Sequence, residues 1–222
     1  MNPSKDALTG LATRKDFHDL LDRALEERRG SEAPVSLAFV DIDDFLRVNN
    51  NFGHAAGDEV LKRLAGLLVE SCGQAAQVVR YGGDEFAVLF PEMEREQAFL
   101  LLEKARAAFA AAQIPAGEGG ALVDGLTLSA GLACYPLDGR LKSELLRKAD
   151  QALYRAKLTG RDKVRLAYDE KMVPKTSHFT QTQLERLAKL AAERQAGEAE
   201  LLREALDELL AKYGVNEIER WT

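Results

Sequence analysis

Cysteine is scarce in this sequence: only Cys72 and Cys134 occur in 222 residues, and they share no metal-ligand spacing. That excludes a disulfide framework and a cysteine-based zinc site, and it fits free thiols in a reducing cytosol. No run of about 18 apolar residues is present, so no segment is expected to span a membrane. The opening Met1-Asn2-Pro3-Ser4-Lys5-Asp6 lacks the apolar stretch of a secretory signal, and a cytoplasmic protein is expected. An excess of positive charge is missing too. The formal net charge is −6, which argues against blanket binding of nucleic acid, because non-specific affinity grows with the phosphates neutralised by Lys and Arg. A nucleotide site remains open to such a chain where a metal and a few local cations offset the repulsion. Internal repeats are absent, and the only biased tracts are Ala/Glu-rich helices. What is present is 46% hydrophobic content, enough for a core, over a length that suits one domain and a small appendage.

Periodicity divides the chain into alternating elements. Residues 13–29 read as an amphipathic helix with Phe17, Leu20, Leu21, Ala24 and Leu25 on one face. Val35 to Val40 is an unbroken apolar run ending in Asp41-Ile42-Asp43-Asp44, the pattern of a buried strand that delivers carboxylates to a sheet edge. Helical spacing returns over 57–71. Gln77 to Arg80 and Glu85 to Phe90 read as two strands around a Gly-Gly turn, a hairpin signal. A helix is expected over 94–112, a loop over 113–125, a strand over 126–133, a helix over 141–158 with Gly160 at its end, and a last strand over 163–168. Strands and helices in this order imply an α/β layered domain, an α+β sandwich with a central, mostly antiparallel sheet flanked by helices. After Tyr168 the composition turns polar. Two short helices follow, over 181–194 and 198–213, and roughly 40 residues are too few to bury their leucines alone.

Chemistry concentrates at the hairpin. In Gly82-Gly83-Asp84-Glu85, the glycines allow positive φ and leave room for a large group to approach the backbone. Two carboxylates at the tip are poorly explained by folding. An ordinary turn with solvated acids accounts for this segment equally well when it is taken alone. Asp41 alters the balance, because adjacent antiparallel strands would set it beside the hairpin. Oxygen ligands from two such loops suit Mg²⁺ (or Mn²⁺), which retains waters and phosphate oxygens in its shell. Asp41 could instead serve as a helix N-cap, a role that Asp43 or Asp44 could fill in its place. Metal ions, backbone donors and open space together are the needs of phosphoryl transfer.

The first 168 residues resemble a GGDEF domain, the catalytic domain of diguanylate cyclases. The resemblance rests on Asp6-Ala7-Leu8-Thr9-Gly10-Leu11 with Arg14, on Asp41-Ile42-Asp43-Asp44-Phe45 with Val48-Asn49, and on Phe52-Gly53-His54 with Gly57-Asp58. It continues through Arg80 to Phe86, Thr127, Ser129, Gly131, Ala133 and Pro136, and Lys148 to Arg161. It implies condensation of two GTP into c-di-GMP and two pyrophosphates, with Mg²⁺ (or Mn²⁺) held by Asp41, the Ile42 carbonyl, Asp84 and Glu85. Asp84 and Glu85 are the implied catalytic residues, Glu85 as further metal ligand or as the base for the ribose 3′-hydroxyl. Asn49 and Asp58 would read guanine; Asp44, Phe45 and Leu46 would cradle phosphate with Gly82 and Gly83 opposite. Lys157 and Arg161, four apart at a helix end, would reach one phosphate. A solvated basic face is the commoner fate of such a pair.

Three departures bear on this. Leu46 stands where the family has a phosphate-binding Lys, which implies weaker triphosphate binding. Asn50 and Thr13 replace a usual Asp and Asn with less consequence. The family's product-inhibition motif would fall on Gly73 and Ala76, so no feedback is expected there.

Residues 172–214 resemble a ribbon-helix-helix module of the CopG/Arc type, on Phe179 to Leu187 and Glu200 to Leu206. A module of that kind implies an intertwined homodimer and candidate DNA contacts at Lys175, Thr176 and His178. A plain helical hairpin fits the same leucines. From Lys175 to Lys212 there are six cations and seven anions, a net of −1, where DNA-binding modules are usually basic. The domains expected are therefore 1–168, GGDEF-like, and 169–222, a linker with a dimerisation and candidate DNA-binding module. A dimer has mechanistic value, since a tether raises the effective concentration of the second half-site. A GTP- or c-di-GMP-responsive DNA-binding regulator is the alternative reading, motivated by Leu46 and the tail.

Overall fold

The computed structural model describes residues 5–116, 122–167, 176–194 and 197–213. The chain divides into two compact units, Met1–Asp169 and Glu170–Thr222. In the first, strands β1 (Ala12–Thr13), β2 (Val35–Ile42), β3 (Gln77–Arg80), β4 (Glu85–Phe90), β7 (Leu128–Tyr135) and β8 (Lys163–Leu166) form one sheet in the order β1-β3-β4-β2-β7-β8. Strands β5 (Ile114–Pro115) and β6 (Leu122–Val123) make a separate two-stranded ladder. Helices are α1 (Arg14–Glu27), α2 (Phe45–Phe52), α3 (His54–Cys72), α4 (Arg95–Ala110) and α5 (Lys142–Leu158).

The sheet is mixed. β2 runs antiparallel to both β4 and β7, and β3 is antiparallel to β4, while β1 pairs parallel with β3 and β8 parallel with β7. The parallel β7–β8 pair follows from α5, since parallel neighbours need a crossover of a dozen or more residues, commonly a helix. Every residue of β2 and β7 is buried, which is why Val35 to Val40 reads as a continuous apolar run rather than an alternating one. Their two faces feed two cores. Ala38, Val40 and Ile42 of β2 pack with α3 and α4 residues such as Val60, Leu64, Leu102 and Phe109. Leu37 and Phe39 pack with Phe17 and Leu21 of α1 and with Leu145, Ala149 and Leu153 of α5.

α5 lies hard against β7 at Gly131. A Cβ there would fall 2.1 Å from both the Ala149 carbonyl oxygen and the Leu153 amide nitrogen. These are backbone atoms and cannot swing aside, so only glycine lets the helix approach this closely. That contact sets the height at which the C-terminal end of α5 meets the sheet edge. Both cysteines are buried and unpaired, and burial pushes the Cys72 thiol up to about 12, the mark of an inert packing residue.

The second unit holds α6 (Gln181–Arg194) and α7 (Glu198–Lys212). Thr180 opens α6, its hydroxyl receiving the Gln183 amide at 3.2 Å. Residues 176–180 take no strand pairing, so within the described residues the ribbon of a ribbon-helix-helix module is not seen. Among the described residues, no helix is long and apolar enough to cross a membrane.

One expectation is corrected: residues 113–125, expected as a loop from their glycines and proline, carry β5 and β6. The segment after Asp44 folds as α2, where Val48 supplies the one buried side chain.

Candidate active site

The antiparallel register fixes the acidic centre. Asp41 on β2 pairs with Glu85 on β4 and with Ser129 on β7, so the end of the central strand meets the first residue after the turn. Asp41 is 6% exposed. Burial raises its pKa, the Lys157 ammonium at 2.8 Å opposes that, and the neighbouring Asp84 and Glu85 charges push it further up. This edge of the sheet thus carries Asp41 paired with Lys157, with the charges of Asp84 and Glu85 acting on it from the turn.

The turn itself is braced by backbone. Tyr81 and Gly82 amides both donate to the Glu85 carbonyl, at 2.8 and 3.2 Å. The Arg80 guanidinium donates to the Gly83 carbonyl at 3.2 and 2.8 Å and to both Asp6 oxygens at 3.2 Å. Asp6 in turn accepts from the Thr9 amide and hydroxyl. Burial would push the Asp6 carboxyl up, but the Thr9 bonds and Arg80 hold it below its ordinary value. The glycines serve clearance rather than a left-handed turn: neither Gly82 nor Gly83 has positive φ. A Cβ on Gly82 would crowd the Glu85 carboxylate at 3.1 Å, and around Gly83 there is open space.

Across from the turn, α2 and α3 join through Gly53 at φ +81°. Asn49 of α2 lies on Gly57 of α3 so closely that a Cβ there would meet the Asn49 Oδ1 at 2.1 Å. Asp58, the residue after that glycine on α3, is exposed. Asp44, at φ +53°, precedes α2 and gives it no side-chain cap. The first-turn amides of α2, including those of Phe45 and Leu46, are thus not covered by an N-cap side chain, as a phosphate cradle requires. The Leu46 side chain is 70% exposed and contributes no charge there.

Lys157 and Arg161 are brought to this edge by a different route from the helical i,i+4 spacing. α5 stops at Leu158, and Gly160, Arg161 and Asp162 follow with φ of +99°, +57° and +47°. The left-handed turn sends Arg161 to Asp44, at 3.6 Å, while Lys157 pairs with Asp41. Each non-glycine residue in this conformation costs roughly 1–2 kcal/mol, so neighbouring bonds must hold it.

Asp43 is one of those holders, and it serves neither as metal ligand nor as N-cap. It is 5% exposed and accepts the Thr127 hydroxyl at 2.7 Å, the Ser129 hydroxyl at 2.7 Å and the Asp162 amide at 3.0 Å. Sequence reasoning missed this role. The signal available was Thr127 and Ser129, two hydroxyls on one strand face beside an acid-rich strand end. The positions of the absent inhibitory motif are structural: Gly73 ends α3 at φ +72°, and the Ala76 amide bonds its carbonyl.

Among the described residues, no group of three or more His, Cys, Asp or Glu side chains is gathered for a metal ion. A closed structural site is therefore not what these acids form. An open pair of carboxylates, all-oxygen in donors, fits a hard divalent ion that takes its other ligands from phosphates and water. In the second unit, Thr176 and His178 are exposed; Lys175 lies outside the described residues.

A mixed sheet that sets a Gly-Gly-Asp-Glu turn beside the acidic end of its central strand, with helices on both faces, defines a GGDEF-like α/β domain. The chain belongs to the family described as diguanylate cyclase, GGDEF domain, whose sequence pattern matches residues 4–163. It is 42% identical over 163 residues to the diguanylate cyclase DgcP of Pseudomonas aeruginosa, covering 73% of this chain and 24% of that one. It is 33% identical to the response regulator PleD of Caulobacter vibrioides, covering 72% and 35%. The chain thus spans well under half the length of these curated relatives. Among solved structures, the GGDEF domain of YfiN (TpbB) from Pseudomonas aeruginosa superposes with a TM-score of 0.70 at 34% identity, covering 74% of this chain and 95% of that one. The coiled coil and GGDEF domain of DgcB from Caulobacter crescentus, in complex with c-di-GMP, gives 0.69 at 32% identity, covering 74% and 85%.

Proposed function

We propose that this protein is a diguanylate cyclase that joins two GTP molecules into c-di-GMP, releasing two pyrophosphates, and that it acts in the cytoplasm as a homodimer. The observation that carries this reading is the register of Asp41 against Glu85, with Asp84 one residue away at the open turn. Asp41, the Ile42 carbonyl and Asp84 would hold Mg²⁺ (or Mn²⁺), which when bound offsets the triphosphate charge and polarises the α-phosphorus. The remaining work falls to the chain. Asn49 and Asp58 take the guanine edge, the carboxylate accepting from N1–H and the N2 amino group, donors that adenine does not present together. The first-turn amides of α2 and the cations Lys157 and Arg161 hold the phosphates. Glu85, exposed beside Asp41, accepts the proton of the 3′-hydroxyl as its oxygen attacks the α-phosphorus of the opposed GTP and the bond to pyrophosphate breaks.

Pairing through the tail is supported by its uncovered leucines. Leu184, Leu190, Leu202, Leu206, Leu209 and Leu210 are each more than a third exposed, a patch that asks for a partner surface. A ribbon-helix-helix dimer would cover it. DNA contact through Thr176, His178 and Lys175 has weaker support, given the net charge of −1 over Lys175 to Lys212. The DNA-binding regulator is not favoured beside the retained carboxylates.

Two results test this reading. Chelation with EDTA stops c-di-GMP formation, and added Mg²⁺ or Mn²⁺ restores it; product formed in EDTA contradicts the metal assignment. Leu46→Lys supplies an ammonium beside the phosphate cradle and lowers KM for GTP about tenfold, as one charge-assisted contact is worth. An unchanged KM in initial-rate kinetics would place the triphosphate elsewhere.

A further inference from the structure

The left-handed turn that carries Arg161 is held from outside the site. Arg106, on α4, donates from its Nη1 to Asp162 Oδ1 at 2.7 Å. The same guanidinium grips Glu103, with Nε at 3.1 and 3.0 Å from its two oxygens and Nη2 at 2.9 Å. Glu103 Oε1 then receives the Val164 amide at 3.1 Å. On the other side of the turn, the Asp162 amide donates to Asp43 at 3.0 Å. Two consecutive non-glycine residues with positive φ persist only where the surroundings over-determine them. Here a backbone amide on each side of Lys163 is claimed by a buried or half-buried carboxylate, and the Asp162 side chain is claimed by a planar fork that Glu103 holds in orientation.

We propose that Arg106 and Glu103 are positioning residues for GTP. They clamp the turn Gly160–Asp162 so that Arg161 faces Asp44 and the first turn of α2, where the triphosphate lies. The proposal rests on the reading of that edge as the GTP site. It assigns function to α4, a helix that supplies no side chain to the site itself. The requirement is for a side-chain oxygen at residue 162 that tolerates the left-handed conformation, and Asp and Asn both meet it.

The test compares Arg106→Gln, Asp162→Ala and Asp162→Asn with the unmodified chain, by steady-state kinetics with Mg²⁺ and GTP and by hydrogen exchange at the amides of residues 161–164. Arg106→Gln and Asp162→Ala raise KM for GTP about tenfold and change kcat less than about twofold, the signature of a lost contact made equally in ground and transition states. Both variants also exchange faster at Asp162 and Val164. Asp162→Asn keeps KM near that of the unmodified chain. The clamp is overturned if Arg106→Gln leaves KM and exchange unchanged, or if Asp162→Asn is as impaired as Asp162→Ala. Should Arg106→Gln not fold, the contrast between the two Asp162 variants decides alone. A failure of the unmodified chain to make c-di-GMP overturns the functional reading instead, and the exchange rates still judge the clamp.

Discussion

Asp84→Ala abolishes c-di-GMP formation, lowering kcat by about 10³-fold or more, the loss typical when a group that stabilises transition-state charge is removed. The fold survives. The bonds that shape the turn run from the Tyr81 and Gly82 amides to the Glu85 carbonyl and from Arg80 to the Gly83 carbonyl, and none uses the Asp84 side chain. Asp84 is also one of the two charges that raise the Asp41 pKa. Removing it takes away one of the carboxylates that would hold the metal and leaves Asp41 paired with Lys157. Asp84→Glu keeps the carboxylate and keeps measurable product. Discontinuous product assays beside a thermal melt check both variants. Near-normal turnover in Asp84→Ala with an unchanged melt would remove the turn from the mechanism.

Asp43→Ala produces the largest loss of stability, about 3–5 kcal/mol, because it leaves the Thr127 hydroxyl, the Ser129 hydroxyl and the Asp162 amide without their shared acceptor. In a domain of this size that lowers the midpoint by roughly 10 °C. Asp43→Asn retains one oxygen and falls between. Activity suffers beyond the stability loss, since the Asp162 amide is half of what holds the left-handed turn behind Arg161. Calorimetry or urea unfolding of the purified variants reads the effect directly. A change within about 1 kcal/mol would show that Asp43 does not anchor the turn.

Much of the scaffold is legible in the residues because the long elements carry unambiguous periods. The apolar run from Val35 and the two runs flanking Gly82-Gly83 read as strands, and they are strands. The leucines of α3 and α5 recur at helical spacing and face the two cores. What escapes is short or depends on distant partners. α2 contains Asn49-Asn50-Asn51, poor helix formers, and it forms because Val48 is buried and α3 packs beside it. β1, β5 and β6 have two residues each, too few for any period. The Gly- and Pro-rich stretch before Leu126 hides two of them. Parallel pairing of β7 with β8 depends on where α5 crosses, which Gly131 governs and no local pattern announces.

At the site, the motif names the acids but not their neighbours. Asp41 sits against Lys157, so a residue read as a phosphate ligand meets a residue read as a metal ligand. Helical spacing suggested that Lys157 and Arg161 share a face. The chain instead leaves the helix at Leu158 and turns left-handed, which aims the two cations at Asp41 and Asp44 separately. Asp43 lies 119 residues before Asp162 and Arg106 lies 56 before it, and only the folded sheet brings them to one turn.

We propose above all that Asp41, Asp84 and Glu85 form one wall of a site that condenses GTP. It is tested most directly by incubating the purified chain at micromolar concentration with GTP and Mg²⁺ and quantifying both products. One c-di-GMP is expected for every two pyrophosphates, with no corresponding product from ATP. GTP bound or consumed without c-di-GMP, by folded and dimeric protein, would contradict it.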